Sequence, residues 1–334
     1  MGRILIFLVL ALGLLGCRQK SHLKNQIMET SPKLTSKNYL ETMVKAVKHY
    51  PKEPYYYLFV NHQACYFEIL VNDLPVYKYF KDGQMVTPID IYFAINKSGK
   101  QKITYKLYPQ TEREEGEGFK TLLDWTSIKI EVFQRNKADT TGNAFASEKE
   151  VLKHTNLMKT DQKTFIAAGK DYYEYTFTFD ATVPYQNAGW EHSEDLSKMD
   201  EKKLLEKTEN AYRQVWQLLK DKKEDEYFSL LSKKELETSQ AEYSSKTDLE
   251  ETLSAYLESF TDPSYEMQPL KGYKLTLYGG GKLACLEQTS LDQRLRGELA
   301  LWAKSKDEDG NIIGNYDRLY FHIPKGKTNF EIIR

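Results

Sequence analysis

The chain has little of what breaks or staples a fold. Only 10 prolines and 18 glycines occur in 334 residues, so a low-complexity or Pro/Gly-rich disordered body is excluded. Three cysteines are too few for a disulfide framework. Net charge is almost absent: 47 Lys plus Arg face 48 Asp plus Glu, which removes the electrostatic argument for nucleic acid. The six histidines form no His-Glu-x-x-His, and there is no Gly-x-Ser-x-Gly. The sequence therefore offers no candidate catalytic residue or metal ligand and calls for no cofactor. One unbroken apolar run, residues 4–15, is too short to span a bilayer, which takes about 20 residues.

What is present begins with that run. Arg3 precedes it and Leu14-Leu15-Gly16-Cys17 ends it, giving a charged, an apolar and a small-residue region in signal-peptide order. The Leu-Leu-Gly-Cys ending resembles a bacterial lipobox. The resemblance implies removal of residues 1–16, acyl chains on Cys17 and a lipidated tether over 17–37. In Bacteroidota lipoproteins an acidic cluster after the cysteine directs export to the cell surface. Residues 18–25 carry Arg18, Lys20 and Lys24 and no acid, so the analogy implies a periplasm-facing protein. Arg18 is not the aspartate that retains proteobacterial lipoproteins at the inner membrane. The choice between inner and outer membrane stays open.

The body divides by periodicity. Leu40, Met43, Val44 and Val47 recur at helical spacing and predict a helix over 38–49. From 55 to 184 the period is two. Ile103, Tyr105 and Leu107, then Ile128, Ile130 and Val132, then Tyr173, Tyr175, Phe177 and Phe179 alternate with polar residues. Residues 61–64 read as a hairpin joining strands 55–60 and 65–71, and Asn72-Asp73 as the next turn. This segment, 38–184, is expected to be an antiparallel β-sandwich with a leading helix. Residues 185–196 lose the pattern and read as a junction. Ser197 with Asp200, and Thr247 with Glu250, look like capping boxes opening helices. Strands around 273–278, 283–287, 299–303 and 319–323 follow. Helices and then a four-stranded meander make 197–334 an α+β unit, similar in element order to the NTF2-like fold. The whole chain is thus α+β.

Cys65 and Cys285 share strand faces with apolar neighbours in different halves and read as buried free thiols. Gly279-Gly280-Gly281 is followed by a strand, which makes it a hairpin turn and not a phosphate cradle. Residues 307–312 partly match a calcium loop, but Ser305 and Tyr316 stand where two principal ligands belong, leaving a polar turn. His322 alternates away from Phe321 and Ile323, toward a wet face. Two features point to contact. Glu112, Glu114, Glu115 and Glu117 form an acidic loop suited to docking a basic partner. Tyrosine is in excess, 24 residues, with clusters at 55–57 and 172–173. Alternation makes Tyr56 and Tyr172 candidates for exposed protein or glycan contacts.

Residues 57–60, 67–76 and 98–103 (Tyr-Leu-Phe-Val, Phe-Glu-Ile-Leu-Val-Asn-Asp-Leu-Pro-Val and Ser-Gly-Lys-Gln-Lys-Ile) resemble uncharacterised Bacteroidota proteins that accompany contact-dependent toxins or type VI secretion genes. The resemblance covers part of the first half. It implies an immunity-type lipoprotein, tethered to the membrane through Cys17, whose partner is a protein toxin or a secretion-system component. The residues themselves also leave a glycan- or envelope-polymer-binding role open through the tyrosine face.

Overall fold

The computed structural model describes residues 26–113, 116–139 and 146–334. The expected signal peptide, Cys17, Glu114 and Glu115 lie outside the described residues. The architecture is α+β with antiparallel sheets.

Helix α1 (Tyr39–Ala46) buries Tyr39 and Met43, one turn apart. Val44, expected on the inner stripe, is exposed instead. Eight strands follow: β1 (Pro54–Gln63), β2 (Tyr66–Val71), β3 (Leu74–Tyr79), β4 (Ile89–Asp90), β5 (Gly99–Tyr108), β6 (Ser127–Asn136), β7 (Lys149–Thr155) and β8 (Tyr173–Ala181). They form two four-stranded sheets, β4-β1-β6-β7 and β3-β2-β5-β8. β1 and β2 belong to different sheets, so the expected hairpin at 61–64 is an arch. Ala64 takes a positive φ of 54° and turns the chain from one layer to the other. The Asn72-Asp73 turn does form a hairpin, with φ of 51° and 62°, the left-handed pair that suits strand twist. Aromatic contacts join the layers. Tyr56 lies 5.8 Å from Phe179, His154 is stacked 4.2 Å from Phe177, and His62 sits 4.9 Å from Phe67.

The second half opens with α2 (Glu201–Lys220), α3 (Glu224–Glu242) and α4 (Lys246–Thr261). The caps differ from expectation. Asp200, not Ser197, caps α2 by accepting from the Lys203 amide. Ser245 with Asp248, not Thr247 with Glu250, makes the capping box of α4. Helix α3 is buried on several sides and packs against α1, α2 and α4. Then come β9 (Glu266–Met267), β10 (Tyr273–Tyr278), β11 (Leu283–Gln288), β12 (Trp302–Lys306), β13 (Ile312–Tyr316), β14 (Phe321–His322) and β15 (Glu331–Ile332). The expected meander is split. β10-β11-β14-β15 is one sheet and β13-β12-β9 another, and a Glu287–Leu299 bridge ties β11 to the segment that leads into β12. β13, which the sequence pattern does not predict, takes the edge where the meander would have continued.

The halves share one hydrophobic cluster. The junction 185–196 is packed into it through Tyr185, Trp190 and Leu196. Residues 26–37, expected to be tether, also lie against the second half. Ile27 pairs in parallel with Phe330, Gln214 accepts from the Gln26 and Ile27 amides, and Leu34 is buried. The ties that cross between the halves include these. Tyr39 donates to Glu235 at 2.6 Å. Lys78 on β3 pairs with Glu287 on β11. The Gly280 amide donates to the Asp73 carboxylate at 2.6 Å. The triple glycine is thus a hairpin turn between β10 and β11 whose amide does hold an anion, but one supplied by this chain.

Candidate functional site

The chain folds a trough between the two halves. One wall is β3, the edge strand of its sheet; the other is the 293–299 segment with Tyr316, Arg318 and Tyr320, and the space between is about 320 Å³. A second depression of about 610 Å³ continues it across the outer face of β12 and β13, sharing Lys81, Arg294 and Tyr316. Cross-strand pairing of Trp302 with Tyr316 stacks their rings 5.8 Å apart and lays an aromatic floor. Ile312, 72% exposed, Ile313 and Leu295 add apolar surface.

Its charge differs from that of the chain. Lys78, Lys81, Lys271, Lys304, Arg294, Arg296 and Arg318 line it, against two carboxylates, Glu298 and Asp292. Several cations are held. Arg318 is bidentate on Glu298 at 3.0 and 3.1 Å, and Arg294 grips Asp292 at 2.6 Å. Arg296 lies over the rings of Phe80 and Tyr66, 4.3 and 5.1 Å from their centroids. Lys78 is the buried partner of Glu287, whose carboxylate also accepts from Tyr278 at 2.6 Å and Thr276 at 2.9 Å. A cleft on a nearly neutral protein with this many cations focuses positive potential.

The residues expected to make contacts divide. Glu112 reaches the trough's rim: its carboxylate accepts from Gln293 at 3.2 Å, and its carbonyl accepts from Tyr66 at 2.7 Å. Glu117 is exposed on the same loop. Tyr172 is 40% exposed, and its ring meets Tyr108, which meets Phe80 at the trough. Tyr56 is a correction. It is 4% exposed and points between the sheets, its hydroxyl accepting from the Thr182 amide at 2.9 Å. Alternation does send Tyr55 and Tyr57 to the other face, but Tyr92, Arg135 and Phe133 cover them there. The trough's cations were not singled out in the sequence. They are scattered over 78–318 and meet only through the fold; the Gln293-Arg294-Leu295-Arg296 run is the one local signal.

His322 is a second correction. It is 3% exposed because residues 193–194 cover its strand. Its Nδ1 lies 2.7 Å from Ser193 Oγ and its Nε2 3.3 Å from a Glu331 oxygen. Hydroxyl, imidazole and carboxylate lie in a row, but Nε2 makes no hydrogen bond among the described residues, and the rest of a nucleophile site is lacking. The Ser193 amide already donates to Trp190 and the Glu194 amide to Ile323, so neither is available to an oxyanion. Neither cavity of the trough is lined by any of the three residues. Cys65 and Cys285 are free and buried; burial pushes the Cys65 thiol up to about 12 and that of Cys285 up as well, so neither is a thiolate at neutral pH.

One buried carboxyl is out of balance. Burial pushes Asp317 up to about 6. Its Oδ1 accepts from Tyr227 at 3.2 Å, and the Tyr265 hydroxyl also lies against it, but no cation pairs with it among the described residues. It lies beside a cavity of about 290 Å³.

Among the described residues no helix is long and apolar enough to cross a membrane. No protein-family model, no curated protein and no solved structure matches the chain.

Proposed function

We propose that the chain is a membrane-tethered, periplasm-facing lipoprotein that acts as a non-catalytic protein-binding module, of the immunity type that neutralises a secreted toxin. The trough carries this reading. It is a long basic and aromatic surface between two halves, rimmed by exposed isoleucines, with its carboxylates tied up in ion pairs. Arginine and aromatic residues around an apolar centre are the composition of protein interfaces. In the same reading the two facing four-stranded sheets are a β-sandwich, and α2–α4 with the strands after them are an NTF2-like unit whose sheet has divided.

A glycan- or envelope-polymer-binding role is the second reading. The stacked Trp302–Tyr316 floor beside Gln268 and Gln288 favours it. One experiment separates them. Detergent-solubilised protein is cross-linked in envelopes that also hold the product of the adjacent gene. The first reading expects one stoichiometric protein adduct, weakened by Arg294→Glu. Retention on a polysaccharide column with no protein adduct would replace it with the second. For the anchor, wild type should enter the detergent phase and Cys17→Ala should not; wild type in the aqueous phase would remove the lipid from the reading.

A further inference from the structure

The two open strand edges along the trough are built differently. β3 is blunted. It carries Pro75, its register with β2 shifts at Ile69/Leu70, and Lys78 on it is locked to Glu287. Proline, a bulge and a lysine are the devices by which proteins keep an edge from pairing. β13 has none of them. It is the edge of β13-β12-β9, runs Ile-Ile-Gly-Asn-Tyr, and exposes Ile312 by 72% and Ile313 by 42%. Among the described residues no backbone hydrogen bond reaches its outer side. An exposed apolar edge without protection is a template for another strand.

We propose that an extended, acidic segment of a protein partner adds to β13 as a further strand, its side chains lying over the 610 Å³ depression. Strand addition supplies the backbone hydrogen bonds, and the Trp302–Tyr316 floor takes alternate apolar side chains. The charge sets the partner's sign. Among the described residues Lys81, Lys271 and Lys304 line the depression without a salt bridge, Lys304 lying 5.7 Å from the Trp302 ring centroid, and Asp292, its carboxylate, is already held by Arg294. The segment therefore carries Asp or Glu between apolar residues. This rests on the protein-binding reading and names what binds; it reverses the expectation that the acidic loop seeks a basic partner.

The test uses the full chain in detergent and a labelled peptide, acetyl-Glu-Val-Glu-Val-Glu-Val-Glu-amide, followed by fluorescence anisotropy. Binding is expected to weaken about tenfold or more in a Lys271→Glu/Lys304→Glu variant and in Ile313→Lys, and to be unchanged in Lys202→Glu, a remote control on α2. The same peptide N-methylated on alternate residues keeps its charge but loses one edge of hydrogen bonds, and is expected not to bind. Equal binding of the N-methylated peptide, or of the Lys-Val counterpart, would overturn strand addition. So would binding of polygalacturonate but of no peptide, or a dimer abolished by Ile313→Lys, which would make a second copy the occupant. A cross-linked protein partner that is indifferent to Ile313→Lys and to the lysine reversals would sink this inference and leave the protein-binding reading standing.

Discussion

The first half packs its sheets with aromatic and aliphatic side chains and buries Glu53 just ahead of β1; the second places Glu235, Glu237 and Glu287 inside. Between the sheets of residues 54–181 lie Leu58, Val60, Ile69, Ile130 and Val132, with Tyr56 and Phe179. Within 197–334, Glu235, Glu237 and Glu287 are buried, and each has at least one partner distant in sequence: Tyr39, Arg334 and Lys78. Burial works to raise Glu235, and Lys234 with the Tyr256 and Tyr39 hydroxyls overrides it and holds it below the usual carboxylate range. Arg334 and Lys233 do the same for Glu237, and Lys78 for Glu287. The difference teaches how each region fails. A hydrophobic layer loses stability in proportion to volume removed, at any pH. A buried ion pair loses most when one partner goes, because the other charge stays behind.

The largest effect should come from Arg334. Its guanidinium donates to Glu237 at 2.9 Å, Asn96 at 2.6 Å and the Phe93 carbonyl at 2.7 Å. Arg334→Ala should cost about 3–5 kcal/mol at pH 7 in urea denaturation. Leu58→Ala should cost about 2–5 kcal/mol. The two are told apart by acid. Glu237 is lowered in the folded state, so its contribution is present above the unfolded carboxyl pKa and lost as pH falls through the folded one. The Arg334→Ala deficit should shrink below about pH 4, and the Leu58→Ala deficit should not. Equal shrinkage would erase the distinction between the halves.

Lys78→Met comes next, at about 3 kcal/mol, since it strands Glu287. Adding Glu287→Leu should return most of that loss. A double variant no better than the single would mean that Lys78 acts by packing and not by charge.

Asp317 should behave in the opposite sense. Its folded pKa of about 6 lies above the ordinary 3.8, so the folded state favours the protonated form, and stability falls as pH rises through 6. Asp317→Asn should therefore stabilise by about 1–3 kcal/mol at pH 7.5 and change little at pH 4, read from thermal melts. A destabilised Asn variant at pH 7.5 would mean that the carboxylate has a partner holding its charge.

The smallest effect tests a helix start. Ser245→Ala should cost about 1 kcal/mol through the lost cap of α4, and Thr247→Ala under about 0.5 kcal/mol. The reverse order would restore the cap that the spacing of Thr247 and Glu250 predicts.

Legibility followed the same divide. β5 and β8 were readable because Ile103-Tyr105-Leu107 and Tyr173–Phe179 alternate cleanly and pair along their length. The arch at Ala64 was not, because a short polar spacer between apolar runs looks the same whether the strands pair or change layers. Burial on both faces hid Tyr56 for a related reason: the outward tyrosines are covered too. In the second half the meander failed because nothing local says that β11 skips to β14. The caps were displaced by two or three residues, since several Ser, Thr and Asp positions compete for each start. The trough was the least legible. Its cations come from strands and loops far apart, and no spacing joins Lys81 to Lys271 or Arg318.

The Ile27–Phe330 pairing also has a mechanical meaning. The Met28 amide donates to the Phe330 carbonyl and the Phe330 amide to the Gln26 carbonyl, both at 2.8 Å. Tension arriving along the chain from before Gln26 meets these two bonds together. A short parallel pair pulled along its length is sheared, not peeled. The load then passes to Gln214 on α2 and to the segment that leads into β15, so a tug on the leading segment is borne by the charge-filled half before the aromatic sheets feel it.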